Sequence, residues 1–469
     1  MFDHLLSLEL PEPDPLLGEA SEHRGEALSG LQRYDDAVAA FEGALAVYGT
    51  VKDDAGVARA ARGASDCYMW RGQLAASLSQ LTRGLRALSK NAARERALLL
   101  SSISVSRMSP AYLDEAWQAM DEAAAIAERL ADPVVLGRVL TDKGLSQVLC
   151  CEFEAAQATA QQALHLVREG PVWQRADLLA SLTFSARYRG QFALCDERLL
   201  ELETAATRSG NHAALWMHDA VRNSIETARM GDIRASLSRV NQMLGTPFVR
   251  YLTRSWVGIC NLYLGDVDQA LEQLAMAIKE QPTDHAYQGT SEAYLLAATA
   301  LAGHHDRALA LMPTVAPWLP VSGRRNVIGA FEALDACVTG LALVGERGQC
   351  GALYPLTLDY IHTGLMVSDS VGPSNPQLAA ALAADAAGLV DQSREHFETA
   401  LRQSREVPIR LLQPTVLYWY GRSLSTATDS ADRLRGRAMV EAALIDFRAL
   451  EMVLHADLAE GFLRGGIAN

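Results

Sequence analysis

The chain has 469 residues, and 42 Lys and Arg against 56 Asp and Glu give a formal net charge of −14 at pH 7. This negative balance opposes electrostatic binding to nucleic acid or to an anionic membrane, so we expect no direct partner of either kind. With 49% hydrophobic and 21% charged residues, the composition is typical of a globular protein and excludes disorder over the whole length.

The amino terminus and the cysteines indicate the compartment. Residues 1–15 carry acidic side chains where a secretory signal needs Lys or Arg, and their apolar run is short. The 7 Cys form no C-x-x-C pair. We therefore expect a reduced, cytoplasmic protein without a signal peptide.

The first strong pattern is helical and lies in GEALSGLQRYDDAVAAFEGALAVY, residues 25–48. A second segment, GDVDQALEQLAMAIKEQP, spans Gly265–Pro282 and has apolar residues on one helical face. Gly265 suits the left-handed end of a preceding helix, and Asp266 suits the N-cap of the next. Each segment therefore predicts two helices that meet at a tight turn.

Both segments resemble the tetratricopeptide repeat (TPR), a helix hairpin with small and large apolar residues at fixed places. The matching positions are Gly25, Leu28, Tyr34, Ala37, Phe41 and Ala44 in the first segment, and Gly258, Val267, Ala270, Leu274 and Ala277 in the second. The resemblance implies an all-α fold, a right-handed superhelical solenoid of TPR-like hairpins.

The small position of the second helix, helix B, recurs along the chain with a period of about 40 residues. The recurring positions are Ala37, Ser77, Ala116, Ala156, Cys195, Ser236, Ala270, Ala308, Cys350, Ser393 and Gly436. Ser109-Pro110 and Asp132-Pro133 are further helix-start signals, with a cap residue before a Pro. We expect at least nine hairpins; the alternative is a single irregular all-helical domain.

Two stretches rich in Pro, Gly and Ser interrupt the period, at residues 312–325 and 368–377. They suggest three parts. Residues 1–17 form an N-terminal extension, residues 18–320 a regular TPR-like array, and residues 321–469 a divergent TPR-like block with a capping helix.

The divergent block resembles the helical tail of large bacterial signalling ATPases. These include LuxR-type, maltose-regulator-like transcription factors and the adenylate or guanylate cyclases that carry an AAA-type ATPase. The matching residues are Leu353, Tyr354, Leu356, Gly372, Glu395, His396, Phe397, Glu398, Ala400, Leu401, Phe447, Leu450 and Met452. Glu451 departs from the pattern, which has Gly before the Met, and the connector around Gly372 is poor in Gly.

The resemblance covers none of the active modules of those proteins. The chain has no G-x-x-x-x-G-K-[ST] motif and no Gly-Lys pair, so we expect no ATP binding of the P-loop kind. His304-His305-Asp306 is best interpreted as a solvated turn, and Cys150-Cys151 as buried small hydrophobic residues. We therefore expect no enzyme activity, no cofactor and no metal.

Helix A of each hairpin lines the concave face in a TPR superhelix, and its polar residues are the candidate binding site. They are Arg59, Arg62, Asp66, Trp70, Arg138, Asp177, Arg187, Tyr188 and His218. Arg59, Arg62 and Arg138 would attract an acidic or phosphorylated segment. The alternative is an ordinary wet surface.

Three functions remain open. The first is a non-enzymatic scaffold for protein interaction or regulatory sensing in bacterial signal transduction, with a protein or peptide partner such as an ATPase or cyclase encoded nearby. The second is a small-ligand sensor detached from an ATPase or transcriptional regulator, which a closed pocket lined by Trp and Arg would favour over an open groove. The third is an α/α-toroid enzyme, for which the sequence offers no convergent catalytic set.

Overall fold

The computed structural model describes residues 14–89, 92–167, 172–367 and 375–465, and every regular element in these ranges is a helix. The helices pair into eleven antiparallel hairpins within the described residues, followed by a final helix, Val453–Gly465. The chain therefore has the all-α, TPR-like solenoid fold that the repeat predicts.

The hairpins are numbered from the amino terminus, with helix A before helix B. Hairpins 1 to 4 are Pro15–Gly30 with Tyr34–Val51, Asp54–Trp70 with Leu74–Ala87, Ala93–Ser106 with Leu113–Leu130, and Pro133–Leu149 with Phe153–Val167. Hairpins 5 to 7 are Val172–Tyr188 with Phe192–Ser209, His212–Met230 with Ile233–Met243, and Arg250–Tyr263 with Val267–Glu280. A short 3-10 helix, Pro247–Val249, precedes hairpin 7.

Hairpins 8 and 9 have a broken helix B, and hairpins 10 and 11 are regular. Hairpin 8 pairs Thr290–Leu301 with His305–Ala310, followed by Met312–Val315 and the 3-10 helix Ala316–Trp318. Hairpin 9 pairs Ile328–Val344 with Arg347–Ala352 and Tyr354–His362. Hairpins 10 and 11 are Pro376–Ala386 with Val390–Glu406, and Leu412–Leu424 with Ser430–Ala449.

The small residue of helix B is buried in every hairpin, which confirms the register that the period predicts. Ala37, Cys195 and Ala270 have no exposed surface, and all eleven positions are buried. At Gly258 of hairpin 7, an added Cβ would lie 2.9 Å from Leu274 Cγ and 3.1 Å from the carbonyl oxygen of Ala270. Small residues are needed here because the two helices cross in direct contact.

Most of the expected helix boundaries are present. Gly265 has φ of +85°, and the Asp266 carboxylate accepts a hydrogen bond from Gln269 N–H at 3.3 Å. Asp132 caps the helix that begins at Pro133, accepting from Val134 N–H at 2.9 Å. The expected start at Ser109-Pro110 is wrong, because these residues form a turn and the helix begins at Leu113.

The first interruption of the period breaks helix B of hairpin 8, since Pro313 and Pro317 each remove a backbone donor. Of the second interruption, residues 368–374 lie outside the described residues, and Asn375 caps the helix that begins at Pro376. The first helix begins at Pro15, inside the expected N-terminal extension, and residues 1–13 of that extension lie outside the described residues. One apolar core runs from Val148 to Ala459, across the boundary expected near residue 320.

Successive turns of the superhelix touch one another. His212 Nε2 lies 2.9 Å from the Gly30 carbonyl oxygen, Arg410 donates to the Met230 carbonyl at 3.1 Å, and Arg325 donates to Glu152 at 2.6 Å. These partners are separated by 182, 180 and 173 positions along the chain. At about 40 residues per hairpin, one turn holds about four and a half hairpins, and the concave face is therefore narrow.

Candidate functional site

The helices A of hairpins 1 to 7 surround a cavity of about 690 Å³ inside the superhelix. Its lining comes from residues 22–287, and no residue of hairpins 8 to 11 contributes to it in the described chain. A volume of this size is within the range of sites that hold small ligands, about 300–1,000 Å³. The inner face of these hairpins thus forms a deep cavity that is partly open to solvent.

Contact between the first and second turns closes one side of the cavity. The Trp70 ring meets Phe248 edge to face, with centroids 5.6 Å apart, and a Cβ on Gly72 would lie 3.4 Å from the Pro247 carbonyl oxygen. Nearby, His212 bonds the Gly30 carbonyl. All but Gly72 and Pro247 also line the cavity, so this contact, the turn seam, forms part of its wall.

A polar ladder crosses hairpins 3 to 6 on the inner face. Arg138 contacts Asp142 at 3.0 Å and Asp177 at 2.8 Å. Ser101 donates to Asp142 at 2.8 Å, and the Asn211 side-chain amide donates to Asp177 at 2.7 Å. The two carboxylates raise the pKa of Arg138 even though burial lowers it. The ladder fixes the position of each of these charged groups.

A second network lies at the amino-terminal end of the cavity. Arg59 Nε lies 3.0 Å from Glu22 Oε1, and the Tyr48 hydroxyl donates to Glu22 Oε2 at 2.6 Å. Burial lowers the pKa of Arg59, but hydrogen bonds and charge from Glu22 outweigh it and raise the pKa. Arg59 is therefore held against hairpin 1 and is neutralised there.

Arg62 and Asp66 are different, because neither makes an ion pair or a hydrogen bond with any residue in the described part of the chain. Asp66 is exposed to the cavity, yet protein surrounds it, so burial raises the pKa of its carboxyl while Arg62 opposes that change. Burial likewise lowers the pKa of Arg62, with Asp66 opposing. Both side chains line the cavity as available charged groups.

Another part of the cavity lining is apolar and aromatic. Tyr251 and His285 pack edge to face with centroids 4.6 Å apart, next to Trp256 and Leu252 in the lining. The backbone N–H of Tyr287 donates to His285 Nδ1 at 3.2 Å, so this nitrogen is an acceptor and the proton is on Nε2. His285 is 7% exposed, burial lowers its pKa to about 3, and Nε2 has no partner in the described residues.

Seven of the nine residues that the sequence proposes for the concave face line this one cavity: Arg59, Arg62, Asp66, Trp70, Arg138, Asp177 and Arg187. The other two lie outside it. Tyr188 is fully buried, with its hydroxyl 2.9 Å from that of Tyr287, and His218 is buried with Nδ1 2.9 Å from Asp219. A shift of one helical position turns a side chain about 100°, which is enough to move it off the face.

Two of the three arginines expected to attract an acidic or phosphorylated segment, Arg59 and Arg138, are paired with carboxylates. In total, six carboxylates and four guanidinium groups line the cavity. The carboxylates are Glu22, Glu26, Asp66, Asp142, Asp177 and Asp284, and the guanidinium groups are Arg59, Arg62, Arg138 and Arg187. This balance does not favour a strongly acidic partner.

Several residues that line the cavity were not predicted from the sequence. Glu22, Asp142 and Asn211 are the partners of predicted Arg and Asp residues. The repeat period could have pointed to Glu22 and Asn211, which lie 37 and 34 positions from Arg59 and Asp177, whereas Asp142 lies one helical turn from Arg138. The repeat period does not indicate that Trp216 or His285 lines the cavity. His285 belongs to the link between hairpins 7 and 8, where the repeat register does not apply.

The His304-His305 and Cys150-Cys151 pairs lie in the environments that the sequence predicts. His304 and His305 are exposed at the start of a short helix, as expected for a solvated turn. Cys150 and Cys151 are buried, as expected, and burial raises the pKa of Cys150 to about 12. Across the described ranges, no cluster of His, Cys, Asp and Glu could hold a metal ion, and no helix is long and apolar enough to span a bilayer.

No protein-family model matches the chain, and no curated protein does. Remote similarity to solved structures exists. A Rap protein complexed with Competence and Sporulation Factor is 10% identical, with 70% of this chain and 96% of that chain covered and a TM-score of 0.41. Yeast Tom70 is 13% identical, with 96% of each chain covered and a TM-score of 0.33. The human IFIT1 dimer with m7Gppp-AAAA is 15% identical, with coverage of 86% and 79% and a TM-score of 0.35.

Proposed function

We propose that the chain is a non-enzymatic receptor that binds a small ligand inside its superhelix. The observation that carries the proposal is the deep, partly open cavity of about 690 Å³, lined by Arg59, Arg62, Arg138 and Arg187 together with Trp70, Trp216 and Trp256. A deep pocket lined by these residue types favours a ligand sensor over an extended interaction groove. Its polar ladder and its aromatic wall would orient a ligand that is polar at one end and apolar at the other.

A protein-interaction scaffold is the second candidate, since stacked helix hairpins commonly present an extended concave surface. An extended partner segment needs that surface to be open along the superhelix. Here the turn seam joins hairpins 1 and 2 to the second turn, and the cavity lies behind it. A protein partner would then bind the outer surface, and the ligand would control that interaction.

The resemblance of the carboxy-terminal block to the tails of LuxR-type regulators and ATPase-linked cyclases supports a setting in bacterial signal transduction. In this proposal the receptor is cytoplasmic, and it acts on an ATPase or cyclase encoded nearby. The residues that carry the tail resemblance, such as Phe397 and Phe447, are buried in the core. They would therefore maintain the fold of the block rather than contact the partner.

The experiment that tests the receptor proposal is a fluorescence titration with 1-anilinonaphthalene-8-sulfonate, an aromatic probe with one anionic group. Energy transfer from the cavity tryptophans to the probe should saturate at about one probe per chain. Ala213 lines the cavity, so Ala213→Trp should fill part of it and abolish the transfer. Ala46 is exposed on helix B of hairpin 1, and Ala46→Trp is the matched control that should leave binding unchanged.

Equal probe binding by the parent and the Ala213→Trp variant would place the probe elsewhere and reject the cavity as the binding site. Absence of saturable binding by the parent would reject it as well. Circular dichroism of both variants checks that the helical fold is retained.

A further inference from the structure

The charged groups of the cavity fall into two classes, those with a partner and those without. Glu22 pairs with Arg59, and Asp142 and Asp177 pair with Arg138. Glu26 contacts His23 at 2.9 Å, with both side chains exposed. Paired groups have little capacity left for a ligand, because a new partner would have to displace an existing hydrogen bond.

Asp284, in the link before hairpin 8, and two residues on the inner face of helix A of hairpin 2 are without such a partner among the described residues. The latter two are Arg62 and Asp66. Neither has a hydrogen bond or an ion pair with any described residue, although both line the cavity. Asp66 is exposed to the cavity and Arg62 is half-buried, and the surrounding protein disfavours the charged form of each. A partly desolvated charge without a hydrogen-bonded partner is available to a ligand group of opposite sign.

The spacing of the two residues limits the shape of such a ligand. They are four positions apart on one helix, so their Cβ atoms lie about 5–6 Å apart on the same face. A ligand that engages both must carry its negative and positive charges close together. The guanidinium of Arg62 is suited to a carboxylate, to which it can donate two parallel hydrogen bonds, and Asp66 is suited to an ammonium group.

The apolar wall supplies the remaining surface. Tyr251, Leu252, Val249 and Met108 line the cavity together with Arg62 and Asp66. Leu252 is half-buried and has surface open to the cavity, whereas Tyr251 and Met108 form the layer behind it, at 5% and 2% exposed. A ligand whose charges are compact and whose body is apolar would bury that body against this wall.

We infer that Arg62 and Asp66 bind a compact zwitterion with an apolar side chain, the chemistry of a free amino acid or a dipeptide. The ligand carboxylate lies on Arg62 and its ammonium on Asp66. This inference rests on the proposed receptor function. A longer peptide with charges only at distant ends does not fit the pair, and neither does a phosphorylated segment that brings no positive charge.

The test is isothermal titration calorimetry with five probes: L-phenylalanine, the dipeptide Phe-Leu, phenylalanine amide, N-acetylphenylalanine and the tetrapeptide Phe-Gly-Gly-Leu. The parent should bind phenylalanine or Phe-Leu at least tenfold more tightly than the amide, the acetyl derivative and the tetrapeptide. The relative affinities of phenylalanine and Phe-Leu show whether the site prefers a free amino acid or a dipeptide. Equal affinity for the blocked and free forms would overturn the inference.

The variants Arg62→Gln and Asp66→Asn separate the two contacts. Arg62→Gln should lose the preference for the free acid over the amide and keep the preference for the free amine over the acetyl form. Asp66→Asn should lose the preference for the free amine over the acetyl form and keep the preference for the free acid over the amide. Arg402→Gln and Glu406→Gln, at an exposed pair 3.8 Å apart in hairpin 10, are the matched controls and should retain both preferences.

Variants that keep both preferences would overturn the assignment of these residues. Melting temperatures close to that of the parent show that a changed preference is not a folding defect. The anilinonaphthalene titration reports on the cavity independently of zwitterion binding. Saturable probe binding together with failure of all zwitterions would leave the receptor proposal standing and remove this inference alone.

Discussion

Helix A of hairpin 2 and helix A of hairpin 9 occupy the same place in the repeat, yet one borders a hollow interior and the other a filled one. In Ile328–Val344 the seven consecutive residues 328–334 are buried, which covers every side of a helix. In Asp54–Trp70 no more than two consecutive residues are buried, and Arg59, Arg62, Asp66 and Trp70 face the cavity. The repeat therefore determines the backbone path, and the side chains on the inner face determine whether the interior of a turn is a cavity or is filled.

The composition of the two helices explains the difference. Helix A of hairpin 9 carries Phe331, Leu334 and Val338, which are buried because the transfer of apolar side chains out of water has a favourable free energy. Hairpin 2 presents paired and unpaired charges, which stay next to solvent because burial without full pairing is costly. A hollow turn in a narrow solenoid is thus maintained by polar residues on its inner face.

The largest effect should come from deleting a ring in the filled region. Phe331 is 4% exposed and stacks on Tyr360 with centroids 5.2 Å apart, so Phe331→Ala should cost about 3–5 kcal/mol. Trp216 borders the cavity and is half-buried, so Trp216→Ala should cost only about 1–2 kcal/mol, since no sealed void is created. The midpoint of urea unfolding measures the loss of stability in each variant. Equal losses of stability would contradict the distinction between hollow and filled turns.

The second prediction concerns how closely the backbone packs where the filled region begins. A Cβ on Gly329 would lie 2.5 Å from Tyr287 Cα, so Gly329→Ala should destabilise by about 1–3 kcal/mol. Gly49, inside a helix of the hollow region, has nothing within 4 Å, and Gly49→Ala should stabilise by about 0.5–1 kcal/mol. Thermal unfolding of the two variants should therefore shift in opposite directions, and a stable Gly329→Ala variant would show that this packing is looser.

The sequence predicts the repeat and its register because the small residue of helix B meets the same steric requirement in every hairpin. Ala37, Cys195 and Gly436 differ in chemistry, but each is small and buried. The inner face was predicted for Arg62 and Asp66 by the same periodicity. What could not be predicted is the contact between turns, such as that of His212 with Gly30, because it joins residues 182 positions apart. One wall of the cavity depends on that contact.

The third prediction uses the pH dependence of stability at the apolar wall. The folded pKa of His285 is about 3, against an ordinary value of 6.5, so the unfolded chain binds more protons between these values. Stability should therefore fall as the pH drops through 6.5, by about 0.7 kcal/mol from this residue between pH 7 and 6 and by about 1.2 kcal/mol between pH 6 and 5. In His285→Asn, the Asn side-chain oxygen can still accept from Tyr251, and the slope should decrease by these amounts.

His305→Asn is the control for this measurement, because His305 is exposed and should leave the slope unchanged. The comparison is made by urea unfolding at pH 5.0, 6.0 and 7.0. A parent and a His285→Asn variant with the same slope would mean that this histidine is not kept neutral by burial.

The smallest predicted effect is at Glu451, in the filled region, which stands where the expected tail pattern has Gly. Glu451 has φ of +55°, a left-handed conformation that costs a residue with a Cβ about 1 kcal/mol. Its carboxylate contacts Arg234 at 2.8 Å, but both side chains are mostly exposed, so this ion pair offsets little of the strain. Glu451→Gly relieves the strain and increases the entropy of the unfolded chain, and it should stabilise by about 0.5 kcal/mol. Arg234→Ala removes the ion pair alone and should melt close to the parent. A clear loss of stability in both variants would show that contact between turns, rather than backbone strain, dominates at this position.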